Sequence, residues 1–198
     1  MSELLTVGGK PGSGKTTVSA AAAKLIDGAR HFSMGERLRG IANGNIASRY
    51  ADELANSRER LAQHKAVGRP QLPVLVLEEF MAEEDGLVIV DGFPRYRNRT
   101  GMFFDMLEET GHKLVAMCHI DVSNEVADTR MAGRGQRTAD VTEDADFRQR
   151  RIEDFYNEML PVMQEIGAIA PVRHIDGHQP VDIVASQLAR VAMELTSD

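Results

Sequence analysis

Near the start of the chain, Gly9-Lys10-Pro11-Gly12-Ser13-Gly14-Lys15-Thr16 spaces glycines, a lysine and a threonine in a way that suits one task, holding a polyphosphate. Glycines permit backbone torsions and close approaches that a Cβ would block. Successive N–H groups can then turn inward as an anion nest, reinforced by the positive end of a following helix. Lys15 supplies a full charge to the β- and γ-phosphates, and Thr16 a hydroxyl ligand for Mg²⁺. Pro11, Ser13 and Thr17 belong to the same expected cradle. A carboxylate is expected from Asp91, which ends the apolar run Leu87-Val88-Ile89-Val90 and can hold the metal through water. After it comes Gly92-Phe93-Pro94-Arg95, a guanidinium held close to the strand-end carboxylate by a proline, where donor and acceptor phosphates would meet.

These residues need elements to carry them. Residues 4–7 read as a buried strand, and a helix is expected over about 14–26. His31-Phe32-Ser33 reads as a second strand. The segment 35–68 has a helical but polar pattern, with few large apolar residues, and predicts a small subdomain that buries little by itself. Pro70 and Pro73 bracket its exit into a helix through Leu75, Leu77 and Phe80. The unbroken run before Asp91 reads as a parallel strand buried on both faces. Residues 114–117 repeat that style, and 172–175 end in Asp176-Gly177. A last helix places Val181, Val184, Leu188, Val191 and Leu195 on one stripe. Strands alternating with helices imply α/β architecture, a parallel sheet wrapped on both sides by right-handed crossovers. Ligands of such sheets sit at the carboxyl ends of the strands, where the glycine turn and Asp91 fall.

The 198 residues suit one domain, and 42% hydrophobic content is enough for a core. A formal charge of −7 argues against a general nucleic-acid binder. Cys118 is the single cysteine, which excludes an intramolecular disulfide and a multi-cysteine zinc site. It reads as a buried strand residue. No apolar run approaches the ~20 residues needed to span a bilayer as a helix, and the first residues lack a signal peptide's apolar stretch. The expectation is a cytoplasmic monomer whose partners are small molecules, with no nucleic acid and no membrane. The six histidines show no ligand spacing, and the ten methionines read as core filling.

Residues 9–16 together with Asp91-Gly92-Phe93-Pro94-Arg95 resemble the adenylate kinase family of nucleoside monophosphate kinases in its short-lid form. The resemblance covers most of the chain. It implies a P-loop NTPase domain, three layers α/β/α around a five-stranded parallel sheet. A helical NMP-binding insertion is expected at about 36–70 and a short lid at about 130–141. It implies ATP and Mg²⁺ as cofactors and reversible transfer of the γ-phosphoryl group. Ser33-Met34-Gly35-Glu36-Arg37-Leu38-Arg39 is similar to the family's S-T-G-D-x-L-R, which would put Ser33, Met34 and Arg39 at the acceptor, Arg39 on its phosphate. Gly92 and Arg95 would join them. Thr129-Arg130-Met131-Ala132-Gly133-Arg134 is similar to the R-x-x-G-R opening the lid, with Arg130 over the ATP base and Arg134 on its phosphates. Arg151 matches the last phosphate-binding arginine, and Arg148 lies one turn earlier on the same helix face. Arg137, with Asp140 nearby, corresponds to the lid's R-x-D-D. Asp176-Gly177-His178-Gln179-Pro180-Val181 resembles the turn whose backbone, at Gly177, lies against adenine. Lys15, Arg95, Arg134 and Arg151 are the catalytic set so implied. Phosphoryl transfer is chiefly positioning and charge stabilisation, which such a set serves. Arginines 37, 60, 97 and 150 read instead as solvated surface.

The chain departs from the family pattern on the acceptor side. Met34 stands where a threonine is usual, Glu36 where an aspartate is, and Arg99 where a glutamine reads adenine's edge. Arginine donates only, so it cannot pair with adenine as an amide does; Asn98 would take over if the register slipped by one. AMP is the leading acceptor, with CMP, UMP or another small metabolite as alternatives. An ATP-binding regulatory or assembly factor is the reading from another class.

Overall fold

Leu4 and Leu5 are neighbours in sequence and both fully buried, yet they belong to different cores. Side chains alternate between the faces of a strand, so an unbroken apolar run needs cover on both sides. The computed structural model, which describes residues 2–135 and 144–196, has five strands: β1 (Ser2–Gly9), β2 (Arg30–Ser33), β3 (Gly86–Asp91), β4 (Lys113–Asp121) and β5 (Val172–Asp176). All pair in parallel, in the order β2-β3-β1-β4-β5. Leu5, Val7, Ile89 and Cys118 face helices α1 (Lys15–Ala23) and α10 (Val181–Thr196), meeting Val18, Ala22, Val184 and Leu188. Leu4, Val88 and Val90 face the opposite way, against α5 (Leu72–Met81) and α6 (Thr100–Thr110) through Val76, Leu77 and Phe103. Met117 meets Val162 and Ile166 of α9 (Leu160–Gly167). Each Val, Leu, Ile, Met or Phe among them contributes about 1.5–3 kcal/mol by leaving water. This is the expected three-layer P-loop architecture.

Three expectations change. The buried face of α10 is Val184, Ala185, Leu188, Ala189 and Ala192, whereas Val181 is 46% exposed and Val191 and Leu195 are half-buried. Helix α1, which packs here, presents Ser19, Ala22 and Ala23. Small residues let two helix backbones approach, so alanines take the centre and larger side chains move to the flanks. The polar segment after β2 also buries more than its composition suggests. It forms α2 (Met34–Ala42), α3 (Ala51–Ala55) and α4 (Arg58–Ala62). Leu38, Ile41, Leu54, Leu61 and Val67 join one cluster with Leu72 and Leu77 of α5. Arg58 donates through Nε and Nη2 to the Ala42 carbonyl at 2.9 and 2.8 Å, satisfying an acceptor at the end of α2. Arg37, expected in solvent, lies half-buried with its guanidinium 5.3 Å from the Phe80 ring centre.

Register brings one row of residues to the carboxyl edge of the sheet. Asp91 is the partner of Val7 on one side and Ser33 on the other, Gly9 of Ile120, and Asp121 of Asp176. Among the described residues no helix is long and apolar enough to cross a membrane.

Candidate functional site

Strand β1 runs directly into the glycine turn, closed by the Ser13 N–H donating to the Lys10 carbonyl at 3.0 Å. Gly12 has φ of 79°, and a Cβ there would lie 2.4 Å from the Ala127 carbonyl oxygen of α7 (Asn124–Gly135). Gly14, with φ of 87°, is the left-handed residue from which α1 starts. Only glycine meets both demands without strain. Lys10 anchors the turn from outside: its Nζ donates to the Val122 carbonyl at 2.6 Å and lies 5.8 and 5.5 Å from the ring centres of Phe155 and Tyr156. The Lys15 Nζ donates to the Lys10 carbonyl at 3.3 Å.

Behind the turn the Thr16 hydroxyl donates to Asp91 Oδ1 at 2.9 Å, and Asp91 Oδ2 is 2.7 Å from His31 Nε2. Asp91 is 2% exposed. A hydroxyl and a carboxylate side by side below a phosphate nest fit Mg²⁺, which keeps several waters and takes one or two protein oxygens together with substrate phosphates. No group of three or more His, Cys, Asp or Glu able to hold a metal occurs among the described residues, so nothing here resembles an all-protein metal cage.

The turn, at Gly9 and from Pro11 through Thr17, lines a cavity of about 980 Å³. Ser33, Arg39, Gly92 and Arg95 line it too, as do Arg130, Arg151 and Gly177. Gly35 leaves room for one of these groups, since a Cβ there would lie 3.2 Å from Arg39 Nη1. Arg130 bridges two turns, donating to the Gly177 carbonyl at 3.0 Å and the Ser13 carbonyl at 3.4 Å. Asp176 shapes the second turn by accepting from the His178 N–H at 3.0 Å and pairing with its ring at 2.6 Å. The His178 N–H, its ring and the Gln179 amide draw the Asp176 carboxyl down to about 2. Arg151, on α8 (Ala145–Asp154), lies 5.7 Å from the Phe147 ring centre. A π-helical turn, Phe155–Met159, follows and contributes Phe155 and Met159 to the wall.

A second cavity, of about 90 Å³, shares Gly35, Arg39, His64, Gly92 and Arg95 with the first. Met34, 4% exposed, and Arg99, 6% exposed, line it. Asn98 is exposed and lines neither, so position 99 is the one that faces this cavity. Arg148 lies apart from both: its Nε is 2.7 Å from Asp128 Oδ1 and its Nη2 3.4 Å from Oδ2, which holds α8 to α7. A fork engaged by a carboxylate of the neighbouring helix is the physical reason it does not reach the cavity. Arg134 lies in the last turn of α7 with its side chain outside the described residues, where Arg137 and Asp140 also lie. Cys118 is fully buried, and burial pushes its thiol up to about 12, as suits a strand residue and not a nucleophile.

Two residues had no sequence signal. His64 lines both cavities in the left-handed conformation, φ 56°, rare outside glycine and frequent at functional sites. His31 reaches Asp91 because the two are on adjacent strands, sixty positions apart in the chain.

A five-stranded parallel sheet, a phosphate nest opening a helix and a strand-end carboxylate beside it define a P-loop nucleotide-binding domain. Comparison with known proteins agrees. A model for the AAA domain family matches residues 8–148, and the chain belongs to that family. It is similar to adenylate kinase 1 of Synechocystis, 29% identical over 186 residues that cover 92% of this chain and 93% of that one. It is 25% identical to an adenylate kinase of Phocaeicola vulgatus, with 96% and 98% covered. UMP-CMP kinase 1 of Oryza sativa is 28% identical, over 96% of this chain and 73% of the rice protein.

Proposed function

We propose that the protein transfers the γ-phosphoryl group of ATP to the phosphate of a nucleoside monophosphate. The observation that carries this is a single cavity lined by the phosphate turn and also by Arg39 and Arg95, continuing into a second, smaller cavity. Hydrolysis takes water as its acceptor and needs no second phosphate site. The turn and Lys15 hold the donor, Arg130 and the Gly177 backbone lie at its base, and Arg39 holds the acceptor phosphate. An acceptor oxygen attacks the γ-phosphorus while the bond to the bridging oxygen of ADP breaks, with no covalent enzyme intermediate. Lys15, Arg95, Arg134 and Arg151 stabilise the charge on the transferring group. Mg²⁺, bound with ATP, neutralises phosphate oxygens; Thr16 and Asp91 would hold it. The insertion at about 36–70 and the lid at about 130–141, with Arg137, close over the substrates and exclude water. Such an enzyme works on free nucleotides in the cytoplasm, as a monomer.

Relatives named adenylate kinase support AMP as the acceptor, and the rice UMP-CMP kinase supports a pyrimidine nucleotide. Purified protein with Mg-ATP and each of AMP, GMP, CMP and UMP provides the test. ADP should form only when an acceptor is present, together with the matching diphosphate. ATP binding without acceptor-dependent ADP would point instead to a nucleotide-binding regulatory factor.

A further inference from the structure

A buried arginine normally has a carboxylate or a set of hydrogen-bond acceptors around it, because an uncompensated charge inside a protein is costly. Arg99 has neither. It is 6% exposed, its Nε lacks a hydrogen-bond partner, and among the described residues no carboxylate pairs with it. Its neighbour is the Tyr96 ring, 4.8 Å from the guanidinium carbon, and Arg95 lies 5.4 Å from the same ring. Burial is the main influence lowering its pKa, and Arg95 adds to it against a partial offset by Tyr96. A donor-rich group so placed is poised for a ligand.

The cavity it lines limits what that ligand can be. The walls are apolar at Met34, Leu38, Leu61, Val67 and Phe93. The charged side chains are Arg39, Lys65, Arg95 and Arg99, joined by His64. No Asp, Glu, Asn, Gln, Ser or Thr among the described residues lines it, so apart from the His64 ring and the Tyr96 hydroxyl its side chains offer donors. Because Arg39 and Arg95 line both cavities, an acceptor phosphate held by them leaves its base to enter this one.

Resting on the proposal that the acceptor is a nucleoside monophosphate, we propose that Arg99 reads its base and selects one bearing a carbonyl oxygen (uracil, cytosine or guanine) over adenine. Each polar edge of adenine that carries the N6 amino group sets a donor beside its ring-nitrogen acceptor. Against a fork that only donates, that amino group finds no partner. A carbonyl oxygen accepts, and guanine O6/N7 or cytosine O2/N3 presents two adjacent acceptors to the two N–H groups of the fork. A buried polar group left unpaired is what makes such a site discriminate.

The test is kcat/KM for AMP, GMP, CMP and UMP with saturating Mg-ATP, on the wild type, Arg99→Gln and Arg99→Lys. The wild type should favour at least one carbonyl-bearing nucleotide over AMP by about tenfold or more. Arg99→Gln, whose amide both donates and accepts, should shift that ratio toward AMP by about tenfold or more. Arg99→Lys should lower the preference without raising AMP, because it keeps the charge and loses the fork. Unchanged ATP affinity in each variant checks that it is folded; if Arg99→Gln does not fold, the wild-type ranking still decides. AMP as the best wild-type acceptor, or a ranking unmoved in a folded Arg99→Gln, overturns the inference and leaves the proposed function standing. ATP binding with no monophosphate phosphorylated removes both.

Discussion

Lys15 and Arg95 give a phosphate different things. Lysine brings a compact point charge on a flexible stem, arginine a planar fork that grips two oxygens at once. Both are half-buried in the cavity wall and neither packs in the core, so their removal should affect chemistry and spare the fold. Lys15→Ala and Arg95→Ala are each expected to lower kcat by two or more orders of magnitude, about 3 kcal/mol of transition-state stabilisation. Arg95→Lys should fall between Arg95→Ala and wild type, since it keeps charge without geometry. Steady-state rates with the best acceptor, alongside melting curves within a few degrees of wild type, check this. Rates near wild type in both alanine variants would remove the two side chains from the reaction.

At the scale of elements, what could be read in the sequence followed from how local each signal is. Strand β3 was legible because Leu87, Val88, Ile89 and Val90 stand together, and the glycine turn because eight consecutive residues build it. The insertion after β2 was not. Helices α3 and α4 are five residues each, too short to display a stripe, and each contributes one buried leucine, Leu54 and Leu61. Their partners, Leu72 and Leu77, are on a later helix, so the shared core exists only in three dimensions. Arg148 was misplaced for a similar reason, its partner Asp128 being 20 residues away on another helix. The position of Arg99 beside the acceptor was legible from its spacing to Arg95, but its burial was not, because the residues that cover it come from other parts of the chain, Met34, Leu38, Leu61 and Val67. The insertion's dependence on that core can be measured. Leu54 is fully buried, and Leu54→Ala should cost about 2–5 kcal/mol in urea unfolding, seen as a lower midpoint at unchanged m-value. A cost below about 1 kcal/mol would mean that α3 sits loosely and contributes little to the cluster.

For the whole molecule, charge is unevenly spread. The chain carries −7, yet among the described residues Lys15, Arg39, Arg95, Arg130 and Arg151 line the main cavity against two carboxylates, Glu36 and Asp91. The two fields make opposite predictions for a polyanion such as ATP. If the net charge of the body governed its approach, added salt would screen repulsion and strengthen binding. If the cavity governs, salt screens attraction and weakens it. Cations lining a concave site act at close range and focus their field there, whereas the surface carboxylates are distant and solvated. Raising ionic strength from about 0.01 M to about 1 M shortens the Debye length from roughly 30 Å to 3 Å, enough to separate the cases. ATP affinity should therefore fall with salt, chiefly through a slower association rate. Arg39→Ala should leave the salt dependence of ATP binding nearly unchanged while flattening that of the acceptor, because its guanidinium serves the second phosphate. Titration calorimetry and stopped-flow across that salt range provide the measurement. An affinity for ATP that rises with salt would show that the body's negative charge outweighs the cavity, and that the five cations do not act together on the substrate.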